Sequence, residues 1–149
     1  MIIGVPKEIK NHEYRVGLTP RSVKEFVRNG HKVMVQNNAG NGIGASDDDY
    51  IDNGAEIIST AEEIFATAEM IVKVKEPQVN ERAMLREDQI LYTYLHLAPD
   101  PEQTKDLVKS GATCIAYETV TSPRGGLPLL APMSNPAGRM AVQAGAHFL

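Results

Sequence analysis

Residues 56–74, EIISTAEEIFATAEMIVKV, decide the fold. They open on a short β-branched run, Glu56–Ile58, and close on another, Met70–Val74. Between them Thr60 and Glu63 stand at capping-box spacing, just ahead of Ile64 and Phe65. That spacing marks a helix start, because a hydroxyl at the cap satisfies an amide that the helix leaves open. Both runs are mostly apolar on both faces, which suits strands buried in a parallel sheet better than half-exposed antiparallel ones.

The same alternation extends in both directions. Further strand candidates are Ile2–Val5, Lys32–Gln36, Ile90–Leu95 and Thr113–Tyr117. Thr19-Pro20 opens a helix with Val23, Phe26 and Val27 on one face, and Gly30 closes it. Ser46 and Asp49 form a second capping-box pair before Tyr50 and Ile51, with Gly54 beyond. Asn80 is expected to cap a short helix containing Met84 and Leu85, and Asp100-Pro101 to open one that Gly111 ends. Strands alternating with helices predict an α/β fold, an open parallel Rossmann-like sheet flanked by helices with right-handed crossovers. Only Thr121–Pro132, rich in proline and glycine, is linker-like.

The composition bounds the function. The chain has 149 residues, 42% of them hydrophobic and 23% charged, with a net charge of −4. That is enough chain for one ordinary domain with a sizeable core. No basic patch suggests nucleic acid. The single cysteine, Cys114, excludes a disulfide framework and a cysteine-based zinc site, and its apolar run predicts a buried structural thiol. The histidines show no ligand spacing, so no metal is expected. The opening MIIGVPKEIK is too short in apolar residues for a signal peptide or a membrane span. A cytoplasmic protein without membrane or nucleic-acid partners is the expectation.

The last stretch, Ser134–Leu149 (SNPAGRMAVQAGAHFL), reads as a helix with a start and no stop signal. Ser134 is the expected N-cap, Pro136 falls in the first turn, and Met140, Ala141, Ala144 and Phe148 recur on one apolar face. The reading is the front portion of a longer protein, its terminal helix left without cover.

Ligands of open parallel sheets bind beyond the carboxyl ends of the strands, so the polar residues there carry the functional reading. After Ile2–Val5 the loop holds Lys7, Glu8, Glu13 and Arg15. Arg15 is able to grip a carboxylate through two parallel hydrogen bonds, or it belongs to a solvated charged loop. In Ile71–Pro77, period two puts Lys73 and Lys75 on one face, with Lys75 at the strand tip. Lys75 either points into the crevice or guards an edge strand. In Tyr92–Pro99, Tyr92, Tyr94 and His96 share a face and His96 sits at the tip. It is a proton carrier near neutral pH or a structural histidine. An arginine, a lysine and a histidine on one sheet edge together suit a small anionic carbonyl compound. Ala39–Gly44 (AGNGIG) lacks the phosphate-loop spacing and is read as a tight turn.

The segments IGVPKEIKNHEYRVGLTP, AGNGIGASDDDY, VKVKEPQ, LYTYLHLA and APMSNPAGRMAVQAGA resemble the N-terminal portion of the bacterial NAD-dependent alanine dehydrogenases. The resemblance covers essentially the whole chain. The wider group includes the nucleotide-binding subunit of nicotinamide nucleotide transhydrogenase, which remains the alternative together with a non-catalytic fragment. The resemblance implies reversible oxidative deamination of L-alanine to pyruvate and ammonia with NAD. It implies that Arg15 and Lys75 bind pyruvate, that His96 donates or accepts the proton, and that Glu13, Tyr94 and Met133 line the pocket. Ser134 would touch the cofactor. It further implies a substrate domain over residues 1–133, an interdomain helix starting at 134–149, an NAD-binding domain downstream that holds most of the cofactor, and a homo-hexamer. On this reading the chain alone is inactive and does not bind NAD measurably.

Overall fold

The computed structural model describes residues 1–148. Two compact units divide at residues 115 and 116. The first contains β1 (Ile2–Val5), α1 (Pro20–Arg28), β2 (Lys32–Gln36), α2 (Asp47–Asp52), β3 (Glu56–Ile58), α3 (Ala61–Thr67), β4 (Met70–Val72), α4 (Val79–Arg82), β5 (Ile90–Thr93) and α5 (Pro101–Ser110). β6 (Thr113–Ala116) reaches the division, and the second unit holds α6 (Ala131–Phe148).

The six strands form one sheet in the order β3-β2-β1-β4-β5-β6. β1 pairs in parallel with β2 and with β4, β2 with β3, and β4 with β5. The order reverses direction between β1 and β4, the place where an open α/β sheet leaves a crevice beyond its strand ends.

Helices pack on both faces of the central strands, where Val5, Val33, Met34, Val35, Ile71 and Val72 are buried. On one face Ile3, Val5, Val33, Val35 and Val72 pack with Val23 of α1 and Tyr50 of α2. The Tyr50 hydroxyl, inside this core, donates to the Leu18 carbonyl at 2.8 Å. On the other face α3 lies so close that a Cβ on Gly4 would collide with Ile64 and Ala68.

Local signals set most helix ends as expected. Thr19 accepts from the Ser22 amide, and Ser46 and Asp49 complete a reciprocal capping box. Gly111 ends α5 in the left-handed conformation. Thr60 accepts from the Glu63 amide, without the return arm of a full capping box.

Several expectations need correction. The strand expected over Met70–Val74 ends at Val72, because the Glu8 carboxylate takes the Val74 amide at 2.6 Å in place of a ladder carbonyl. The strand expected over Ile90–Leu95 likewise ends at Thr93. The short helix after β4 is capped by Gln78 with Glu81, not by Asn80, so Met84 and Leu85 come after it rather than lie in it. The terminal helix starts at Ala131, which puts Ser134 inside its first turns and Pro136 in its interior. Ser134 is therefore not an N-cap; its amide and hydroxyl both donate to the Leu130 carbonyl. None of the described residues of α6 is buried. Leu149, at the end of the expected helix, lies outside the described residues. Cys114 is half-buried rather than buried, and burial pushes its thiol pKa up.

Candidate functional site beyond strands β1, β4 and β5

Arg15 comes after β1, Lys75 after β4 and His96 after β5, three neighbouring parallel strands. The first two flank the crevice where the strand order reverses.

Arg15 is held by its own loop. Its Nε donates to Glu13 Oε1 at 2.8 Å, its Nη2 to Glu13 Oε2 at 2.6 Å, and its amide to Glu13 Oε1 at 2.9 Å. The hydrogen bonds from Arg15 hold the Glu13 carboxyl at a pKa of about 2, against the opposing pull of burial, with a smaller contribution from the Lys75 ammonium. Glu13 in turn raises the Arg15 pKa, and Tyr94 and Glu8 act in the same direction. Glu13, Arg15, Lys75 and Tyr94 thus form one electrostatic neighbourhood. The guanidinium edge formed by Nε and Nη2 is committed to Glu13.

Lys75 and His96 sit on irregular backbone that neighbouring side chains fix. The Lys75 carbonyl accepts from Thr93 Oγ1 at 2.9 Å, and the Tyr94 amide donates to the Val74 carbonyl at 3.2 Å. These bonds keep the two strand extensions side by side after the regular ladder stops. His96 has φ of 50°, a conformation costly for a residue with a Cβ and one that collects at functional sites. Its ring stacks on Tyr94 with centroids 6.3 Å apart. Just before it, Gln103 Nε2 from α5 holds the Leu95 carbonyl at 2.6 Å.

Behind Lys75 lies an ion cluster that the sequence reading missed. Lys73 is fully buried, with Nζ 2.7 Å from Glu81 Oε1 and 3.2 Å from Glu8 Oε2. Burial raises the Glu8 pKa, although Lys73 and the Val74 amide pull it down. Two acids for a buried lysine, brought from β1's loop and from α4, leave no sequence spacing to detect.

A cavity of about 220 Å³ opens beside this group, lined by Lys7, Glu8, Glu13, Tyr14, Arg15, Asn38, Ala39, Asn41 and Gly42. The glycine turn after β2 therefore forms one wall. Several of its amides are spent within the turn: those of Ile43 and Ala45 bond to the Gly40 carbonyl and that of Gly44 to the Asn41 carbonyl. These internal bonds make it the tight turn expected. A larger open hollow of about 490 Å³ lies along α4 and α5, but its Arg82 and Asp106 are spent on each other at 2.8 Å. Met133 and Ser134 lie on α6, in the second unit. Among the described residues no group of three or more His, Cys, Asp or Glu is arranged to hold a metal ion. No described helix is long and apolar enough to cross a membrane.

An open parallel sheet with an arginine, a lysine and a histidine following three adjacent strands defines the class: an open, Rossmann-like α/β domain. The chain belongs to the family described as alanine dehydrogenase/PNT, N-terminal domain, whose model matches residues 4–137. It is 60% identical over 149 residues to an alanine dehydrogenase of Halomonas elongata and 56% identical to one of Methanococcus maripaludis. All of the chain is covered in both, and 40% of each relative. The chain thus spans well under half the length of these relatives. A solved L-alanine dehydrogenase superposes with a TM-score of 0.91 at 52% identity, covering 100% of this chain and 41% of the other. A transhydrogenase from Sinorhizobium meliloti is more distant, with a TM-score of 0.75 at 27% identity over 79% of this chain and 35% of its own.

Proposed function

We propose that this chain is the substrate-binding part of an NAD-dependent alanine dehydrogenase, interconverting L-alanine with pyruvate and ammonia. The observation that carries the reading is the placement of Arg15, Lys75 and His96 after three adjacent parallel strands, with Glu13 and Tyr94 among them. Arg15 binds the substrate carboxylate, oriented by Glu13. The Lys75 ammonium faces the carbonyl oxygen and stabilises charge that develops there. His96 takes a proton from the water that attacks the imine carbon, and returns it when water leaves in the opposite direction. Tyr94 lines the pocket.

NAD would supply the hydride chemistry, held mainly by residues outside this chain, with Ser134 as a contact. Residues 1–133 act as the substrate domain, and 134–149 begin an interdomain helix. The assembled protein is a cytoplasmic homo-hexamer on this reading. The transhydrogenase alternative is weaker, because hydride exchange between nucleotides needs no carboxylate grip and the likeness is more distant. Alanine-dependent NAD reduction, measured for this chain alone and mixed with the remaining portion of a relative, tests the proposal. Activity only in the mixture supports it, and no activity in either argues for a non-catalytic fragment.

A further inference from the structure

We infer that Glu8 is a positioning residue for Lys75, its carboxylate joining the loop that carries Arg15 to the segment that carries Lys75. The inference rests on the proposed role of Lys75 in binding the oxoacid.

Both Glu8 oxygens have assigned work. Oε1 accepts from the Val74 amide at 2.6 Å and the Lys75 amide at 3.4 Å. Oε2 accepts from Lys73 Nζ at 3.2 Å. The regular β1–β4 pairing stops at Gly4 and Ile71, so beyond it this side chain performs the bridging that a neighbouring strand would otherwise perform. The buried Lys73 ties the arrangement to α4 through Glu81, whose other oxygen accepts from the Gln78 amide at 2.8 Å. Glu8 also lines the cavity that Arg15 and Glu13 share. One carboxylate therefore sets the spacing between the two cationic groups that would grip the oxoacid.

The chemistry makes Glu8→Gln a sharp test. A carboxylate offers acceptors on both sides, but an amide offers one oxygen and one NH₂. Either orientation sets a donor against a donor, at Lys73 or at the backbone amides. Adding Lys73→Met removes the ammonium, so the introduced amide is able to turn its oxygen to Val74 and Lys75 and its NH₂ toward Glu81.

The experiment measures amide hydrogen exchange at Val74 and Lys75, and pyruvate affinity by NMR titration of the folded chain, for wild type, Glu8→Gln and Glu8→Gln/Lys73→Met. Gln89→Ala is the control for plain destabilisation, since Gln89 holds the Phe65 and Ala68 carbonyls before β5. Glu8→Gln is expected to speed exchange at the two amides and to weaken pyruvate binding about tenfold or more. The double variant is expected to recover both, and Gln89→Ala to leave affinity unchanged. Wild-type exchange and affinity in Glu8→Gln would overturn the inference. If Glu8→Gln does not fold, a folded double variant with protected amides and lost affinity would overturn it, and one with both restored supports it. A wild-type chain that binds no pyruvate refutes the substrate reading, and the exchange comparison then decides the positioning alone.

Discussion

Glu13 fixes Arg15 before any ligand arrives, and that pairing has a measurable sign. The Glu13 pKa is depressed from 4.5 to about 2 in the folded chain. Its contribution to stability is therefore complete above the unfolded value and is lost as pH falls through the folded one. The unfolding free energy of wild type should drop between pH 4.5 and 2 more steeply than that of Glu13→Gln; parallel curves would count against the pairing. In an assembled enzyme, Lys75→Ala should lower kcat by about a hundredfold or more, if the ammonium stabilises charge on the carbonyl oxygen. Arg15→Lys should mainly raise KM, because lysine is unable to keep two bonds to Glu13 while facing a carboxylate. Steady-state kinetics on both variants separate these effects. The positions of Lys75 and His96 were legible in the sequence because each comes within three residues of a strand end, and Arg15 because it lies in the loop that follows β1. The role of Glu13 in holding Arg15 was not, since their bonds depend on the turn of the loop. Nor was the buried Lys73, whose partners come from positions 8 and 81.

At the scale of the elements, legibility tracks locality. Capping residues lie within a turn of the amides they serve, so Thr19, Ser46 and Asp100 set α1, α2 and α5 where the sequence puts them. The end of β4 depends on the Glu8 side chain, brought from the loop after β1. The irregular backbone after β5 depends on Thr93 and on Gln103 of α5. No local pattern encodes those contacts. The turn after β2 carries its own test. A Cβ at Gly42 would lie deep inside contact with the Tyr14 carbonyl, next to Arg15 on the cavity wall. Gly42→Ala should cost about 1–3 kcal/mol of stability as the loops part, with weaker pyruvate binding. Chemical denaturation and a pyruvate titration on the same sample check it. A fully stable variant with unchanged binding would show that the two loops do not need this contact.

For the whole molecule, the alternating pattern predicts an α/β sheet, but not the strand order. The order matters, because the reversal between β1 and β4 is what turns a shared edge into a crevice. Core packing on the α1 and α2 face is tied by Tyr50, so Tyr50→Phe should cost about 1–2 kcal/mol by leaving the Leu18 carbonyl unpaired. Thermal unfolding measures that loss. The glycine turn with its internally bonded amides predicts no calorimetric signal for NAD with this chain alone. The central claim is that Arg15, Lys75 and His96 serve one small oxoacid at that crevice. A crystal structure of the chain with pyruvate tests it most directly. The account predicts the carboxylate on Arg15, with the carbonyl oxygen about 3 Å from Lys75 Nζ and His96 facing the same carbon. Pyruvate bound elsewhere, with Lys75 and His96 both out of reach of it, would contradict the account.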